Sequence, residues 1–592
     1  MRGDRRLFAC AVMRSGLARL TIGGAVCLWL MFVAVTVHAE EKWFSVNDAG
    51  GSRFWDTAAG WKPTAALPTE ADSVTLNSSL TSPDAPLMIT NGVLTIAQKI
   101  QIATLDSPSY AVDGRIPSLH ISGGQLTSTT NNWSDSISVG HHVNGYGLLT
   151  LSGGLLSNTC MTVGYEGIGV VTNAGGTVKL EAPGLLIGRN ASGRGTYVQE
   201  EGGAFSGELS VGHMGTGVLV YAGGSIASWS HVYVGRYIGS EGLLDVRAPG
   251  INVGGGQTLF IGYSGRGILE QRANLSADYL KIGGNPDVIS VATIYAGATN
   301  TAVHSCNVGG YPVWSQDRIE EIIGDGVLVL KGGVLHISNG SLQERLYVGR
   351  YAGSRGRVQG WGRISHPSSG TTNIRLVLGE GVIQADGEGE ARTLDLNEIV
   401  STSNSVPNGA TGTNGWYAVN KGRVLFPRTW FNNSSGTQAR CMGDWHGNPA
   451  PGLVNSVHAT FTGITLSANF WRGGVYAPDR DDIPAGLPTD AEPIGIWQLG
   501  LYKDLSSWTA DQAAPFTTVT LTFRYDQTRV GSSDHLVLYR HTASGWSRVE
   551  TAVNSDHCVT TAAPLDRLTN ADANIGWFAL VTRQRGTLVT VR

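Results

Sequence analysis

Seven residues able to bind or do chemistry recur at one place in a repeating pattern. His141, Tyr165, Arg189, His213, Arg236, Tyr263 and Arg350 each directly follow a glycine. Aromatic faces and guanidinium forks grip flat sugar rings and anionic groups. A plain turn would carry Ser, Thr or Asn at such a place. The column from His141 to Tyr263 is therefore the candidate ligand-binding surface. A second reading is a ladder of side chains that stack on one another and shield a corner. Two acidic clusters stand apart from the column, Asp386-Gly387-Glu388-Gly389-Glu390 and Asp479-Arg480-Asp481-Asp482. Calcium takes about six to eight oxygens, so Asp479, Asp481 and Asp482 are candidate calcium ligands, with solvated turns as the plain alternative. No other cofactor is expected. The sequence holds no HExxH, no GxxxxGK[ST], no GxSxG elbow and no EF-hand loop, so no catalytic residue is assigned. The glycines of Gly164 to Gly169 lack the strand-to-helix setting of a phosphate cradle.

The elements that position this column follow from its period. A β-branched residue precedes each glycine: Val139, Val163, Ile187, Val211, Val234, Ile261 and Ile282, at steps of 24, 24, 24, 23, 27 and 21 residues. A further glycine follows five or seven residues after each of the first six corner glycines, at 147, 169, 195, 217, 242 and 267. Short apolar runs come next, such as Leu148-Leu149-Thr150-Leu151 and Val218-Leu219-Val220-Tyr221. A unit of this length cannot bury an apolar face alone, but stacked units share a continuous core. Glycine supplies positive φ and close backbone approach at the corners. The fold expected is all-β: a right-handed parallel β-helix or β-solenoid, its rungs rising about 4.8 Å each. The β-branched residues are expected to align and point inward.

This pattern, V-G-x(n)-G-x-G-x-L-x-x-x-x-G-G, resembles the PEP-CTERM-associated repeat of secreted bacterial proteins and of passenger-like regions of autotransporters. The resemblance covers roughly 136–284, with a last copy near 326–365, where Tyr347-Val348-Gly349-Arg350-Tyr351 nearly repeats Tyr233-Val234-Gly235-Arg236-Tyr237. It implies a glycine-rich solenoid on an exported protein and says little about activity. The chain shows no Pro-Glu-Pro sorting helix and no closing β-barrel.

The flanks divide the chain further. Residues 1–39 read as a signal peptide: Arg2, Arg5 and Arg6 begin it, Leu20 to Val37 is apolar, and Val37-His38-Ala39 offers a cleavage site before Glu40. The rival is a retained membrane anchor; once the signal is removed, no further span is expected. Residues 40–95 read as an N-terminal cap, in which Trp43, Trp55 and Trp61 cover the open end of the stack or offer a sugar platform. The repeat solenoid runs over 96–284. An insertion follows at 285–325, with a helical turn or two at Asp317–Ile323, and the last rungs occupy 326–386. A linker at 387–415 leads to a C-terminal β-sandwich at 416–592, signalled by alternating runs such as Val519–Tyr525 and Trp577–Val581.

Composition narrows the function classes. Glycine makes up 81 of 592 residues, only 15% are charged, and the net charge is −4 with no basic cluster, which excludes an electrostatic case for nucleic acid. Outside the signal, Cys160, Cys306, Cys441 and Cys558 are far apart and form no CxxC pair, so they read as isolated thiols. A secreted or cell-surface structural and adhesion protein is expected, with extracellular polysaccharide or other surface proteins as partners. The alternative is a carbohydrate-active enzyme of polysaccharide-lyase type, working in a groove of the β-helix. That reading needs carboxylates along the rungs, where they are sparse.

Overall fold

The computed structural model describes residues 40–44, 53–76, 86–90, 92–103, 116–128, 136–228, 230–315, 318–338, 345–366, 375–387, 392–401, 415–432, 436–442, 455–464, 468–478, 482–489, 491–503, 514–530, 535–554, 558–569 and 574–583. It is nearly all β and forms a parallel β-solenoid of about 11 turns, followed by antiparallel sheets. Each complete rung contributes to three parallel sheets, here called faces A, B and C. In one rung face A is Tyr146–Leu151, and Leu155–Val163 supplies face B and, beyond an irregularity between Asn158 and Cys160, face C. The next rung repeats this with Ile168–Asn173 and Thr177–Ile187.

The period seen in the sequence sets the register. Val139, Val163, Ile187, Val211, Val234, Ile261 and Ile282 pair one above the next on face C, and each is fully buried. The glycine after each must turn the chain from face C to face A, and its φ lies between +65° and +78° in all seven. Gly212 shows why no side chain is tolerated there: a Cβ would run into the Glu241 carbonyl of the following rung. Its amide meanwhile donates to the Ile187 carbonyl of the preceding rung at 2.9 Å.

The rhythm continues beyond Gly284. Ile289–Tyr295 joins face A and Thr299–Val308 joins faces B and C, so Val308 stacks between Ile282 and Val348. The insertion expected over 285–325 therefore reduces to a hairpin, in which Tyr311–Ser315 pairs antiparallel with Arg318–Ile322. Within the helical turn expected at Asp317–Ile323, Arg318–Ile322 is instead the second strand of that hairpin. The linker expected at 387–415 is likewise shorter: Thr393–Asp395 and Val400–Ser401 belong to the ladder, and 402–414 lies outside the described residues. Trp416–Lys421, Arg423–Leu425 and Arg428–Asn432, expected in the sandwich, continue the parallel ladder.

Both ends are closed. At the start, Glu41–Phe44 pairs parallel with Ser73–Leu76 and antiparallel with Trp61–Lys62. Trp55 and Trp61 are buried edge to face, with Phe44 against Trp61, so these tryptophans cap the core; Trp43 is 40% exposed. At the other end, Ala468–Tyr476 pairs antiparallel with Arg423–Leu425 and Arg428–Asn432, occupying an edge that would otherwise template another chain. Ala491–Tyr502, Gly576–Arg583, Leu536–Thr542 and Gly545–Val549 extend that sheet. A second antiparallel sheet holds Gly436–Met442, Val457–Ile464, Thr518–Arg524, Cys558–Thr561 and Thr551–Asn554. Phe461 meets Trp471, and Phe523 meets Trp497 and Phe578, between the two sheets, as in a sandwich.

The three faces differ on their outer sides. Face B is polar, with Thr127, Ser157, Lys179, Ser206, Ala227, Asn252, Ser276 and Thr301 in one row. Face A carries an outward row of Leu148, Val170, Thr196, Val218, Leu243, Ile268, Val291 and Val327. All but Val327 are partly exposed. On face C, Tyr233 and Lys281 are partly exposed, while the outward residues Ser138, Thr162, Leu186, Ser210, Phe260, Asn307, Tyr347 and Val377 in the same row are buried. Something must cover them.

Candidate functional site

The cover on face C is the column itself. Each column residue leaves the core at a corner glycine and folds back over the outside of face C. Nε2 of His141 lies 2.7 Å from Nε2 of Gln101, and its ring stacks on Tyr165 with centroids 4.7 Å apart. The Arg189 guanidinium sits 5.2 Å above Tyr165. Nδ1 of His213 meets the Ser210 hydroxyl at 3.3 Å, and its ring meets Tyr237 edge to face. Arg236 lies 4.4 Å over Tyr233 and pairs with Glu208 at 3.5 Å. Tyr263 closes on both Tyr233 and Phe260, whose rings are parallel and 5.1 Å apart. Arg350 repeats the arrangement 4.3 Å over Tyr347. The six column residues from His141 to Tyr263 are partly exposed, and none points into the core.

The column is interrupted where the chain has Gly283-Gly284 and Gly309-Gly310, which leave no side chain after the corner. Tyr311 fills the gap. It is fully buried, its hydroxyl donates to the Tyr263 carbonyl at 3.3 Å, and a Cβ on Gly284 would collide with it. Lys281 lies beneath the hairpin, 4.9 Å over the Tyr311 ring and 5.2 Å over Phe260, and donates to the Pro312 carbonyl at 3.4 Å. Tyr233, Phe260, Lys281 and Tyr311 thus belong to the site although sequence reading did not single them out. Their signal was present: Tyr233, Phe260 and Lys281 directly precede Val234, Ile261 and Ile282, and alternation places them outward.

This surface is crowded with cations, and its titrations respond. Burial, then the Arg236 and Arg189 charges, pull His213 down to about 4. Burial and Arg350 pull Lys281 down to about 8. His231 is lowered by burial and by Lys281 and Arg236. Glu208 is raised by burial, against the pull of Arg236. A site of this kind holds half-buried guanidinium and aromatic groups at rung spacing, suited to an anionic or ring-bearing polymer.

Asp479 and Asp481 lie outside the described residues; Asp482 is exposed and pairs with Arg423 at 3.3 Å. Among the described residues no group of three or more His, Cys, Asp or Glu converges as a metal site. Cys160, Cys306 and Cys558 are buried, and burial pushes the Cys306 thiol up. No described helix is long and apolar enough to cross a membrane. The segment Leu20–Val37, read as a signal, lies outside the described residues.

Fold and site together define a class: a parallel β-solenoid, closed at its C-terminal end by antiparallel sheets, with a cation–aromatic layer along one face. Comparison adds no relative, since no protein-family model, no curated protein and no solved structure matches the chain.

Proposed function

We propose that this is a secreted or cell-surface structural and adhesion protein of the PEP-CTERM-associated repeat kind, whose solenoid acts as a rigid spacer and grips extracellular polysaccharide along face C. The observation that carries the reading is the column. Tyr165, Arg189, Arg236 and Tyr263 line up aromatic and guanidinium groups along one face of the solenoid, each still partly open to solvent. A polymer with a repeating structure would meet several of them at once, so that weak contacts add up. The cations favour an acidic polymer. Export rests on the sequence before Glu40.

The test is retention of the purified chain on immobilised acidic and neutral polysaccharides, with the double variant Tyr165→Ala/Arg189→Ala alongside. Retention on acidic polymers without depolymerisation, lost in the variant, supports the reading. Cleavage of the polymer with release of unsaturated uronate would replace it with the lyase alternative. A variant that loses thermal stability but keeps its retention would make the column cladding alone.

A further inference from the structure

The corner where face A turns into face B carries a row of its own. The residue that follows face A is Ser, Ala or Glu on each rung from Ser122 to Ala222. The next five rungs carry Arg247, Arg272, Tyr295, Lys331 and Trp361 at that place, in register. Four steps of about 4.8 Å make this row about 19 Å long. Aromatic rings hold its cations. The Arg272 guanidinium lies 4.7 Å and the Lys331 ammonium 5.1 Å from the centre of the Tyr295 ring, and the Arg392 guanidinium lies 4.2 Å over Trp361. The Trp361 ring in turn rests on Gly332, where a Cβ would strike it. Acidic partners gather at one end of the row. Asp245 pairs with Arg247 and Arg272, and Glu270 pairs with Arg272 and accepts from the Tyr295 hydroxyl. The Arg247 and Arg272 side chains nevertheless stay 56% and 45% exposed. Lys331 is exposed and Arg392 partly so, and neither has an acidic partner among the described residues.

We propose that this corner is a second binding site, separate from the face C column, for an acidic glycan that carries both carboxylates and hydroxyls, such as a uronate polymer. The class of ligand rests on the polysaccharide reading; the location rests on this row alone. Three features select that ligand. The first is spacing. The cations follow one another along the ladder, so an extended polymer meets several at once and weak contacts add up. The second is charge. Exposed guanidinium forks, together with an ammonium that lacks an acidic partner, bind carboxylates through charge-assisted hydrogen bonds. The third is the mixture of signs. The Glu270 carboxylate, 27% exposed, stands among the cations and accepts hydrogen bonds. A glycan offers hydroxyl donors to it. A nucleic acid duplex, with about one negative charge per 1.7 Å, is repelled by Glu270 and by Asp245 beside it. The column lies over face C and this row at the corner of faces A and B, so one chain can hold two polymer segments on different sides of the solenoid.

The experiment is titration calorimetry of the full chain with a galacturonate hexamer, and with maltohexaose as the uncharged control. Arg272→Ala/Lys331→Ala removes two cations from the corner, Tyr165→Ala/Arg189→Ala disables the face C column, and Lys179→Ala/Arg194→Ala removes two exposed cations that belong to neither site. The corner variant should keep its circular dichroism, because exposed ion pairs add little stability. Its affinity at the corner should fall at least about tenfold. If face C binds as well, the wild type takes two hexamers per chain and the corner variant one. If face C does not bind, the wild type takes one and the corner variant none. Either outcome supports the corner site. A wild type that takes one hexamer, lost in the face C variant and kept in the corner variant, leaves the polysaccharide reading standing and overturns the corner site. Should the corner variant fail to fold, zero-length carbodiimide coupling of the hexamer to the wild type decides: Lys331 should be joined to it and Lys179 should not, and coupling at Lys179 with none at Lys331 overturns the proposal. So does a wild type that binds no hexamer, an equal loss from Lys179→Ala/Arg194→Ala, equal binding of maltohexaose, or an oligonucleotide duplex held more tightly than the hexamer.

Discussion

Faces A and C share one construction rule and reach opposite outcomes. On both, alternate residues point inward to a core of Val, Ile and Leu, and the others point out. On face C most outward residues are buried because the residue after each corner glycine folds back over them; on face A the central row is left partly open. The difference lies in the turn at the end of each face. Face C ends in a glycine corner, φ near +68° at Gly212, and then a large polar or aromatic side chain. Face A ends in turns that are short at some rungs, such as Ser152-Gly153-Gly154, and that carry Arg247 and Arg272 at others, where they fold back onto Asp245 and Glu270 but leave the central aliphatic row partly open. On face C, one position in the repeat thus supplies most of a second layer. The same position supplies the candidate binding groups.

The comparison can be broken first at what the faces share. Val211→Asp places an unpaired carboxylate in the stacked core between Ile187 and Val234, where the native side chain is fully buried. A cost above about 3 kcal/mol is expected, read as loss of the cooperative unfolding transition or of soluble protein. Gly212→Ala comes next. It strains the corner that feeds His213 onto face C, at a φ of +68° and against the Glu241 carbonyl. About 1–3 kcal/mol is expected, by chemical denaturation. An alanine there with wild-type stability would mean that the corner does not need glycine.

The smallest expected effect is acidic. His213 is held neutral down to about pH 4 in the fold, whereas an unfolded chain protonates it near the ordinary value of 6.5. Between those values the unfolded state binds the extra proton, so the stability contribution is full above pH 6.5 and is lost as pH falls toward 4. His213→Asn should therefore flatten the pH dependence of the denaturation midpoint in that window. An identical slope in wild type and variant would mean that His213 is not held beneath Arg189 and Arg236.

Much of this architecture was legible from the chain. The spacing of β-branched residues before glycines gave the rungs, their register and the inward ladder. Val308-Gly309 escaped because its rung lacks the usual second glycine: Ser290, 1% exposed, stands where Gly267 and Gly326 stand in the flanking rungs. The next corner is then separated by the hairpin. Thr393–Asp395 and Val400–Ser401 were invisible for a simpler reason. Strands of two or three residues show no alternation to read, and the ladder beside them supplies their hydrogen bonds. The column was legible as a set of residues but not as a covering layer, since only the fold shows that these side chains turn back over Tyr233, Phe260 and Lys281 instead of standing out in solvent.

The most direct test of the clad-and-bare contrast is the thermal unfolding of two matched double variants. Tyr233→Ser/Phe260→Ser removes the layer that Arg236, Tyr263, Lys281 and Tyr311 pack on. Leu243→Ser/Ile268→Ser removes outward aliphatic groups on face A that no described layer covers. The first should lower the unfolding temperature by several degrees, because it opens cavities beneath a packed layer. The second should leave the temperature of the isolated chain nearly unchanged. Equal losses from the two variants, or a larger loss from face A, would contradict the account.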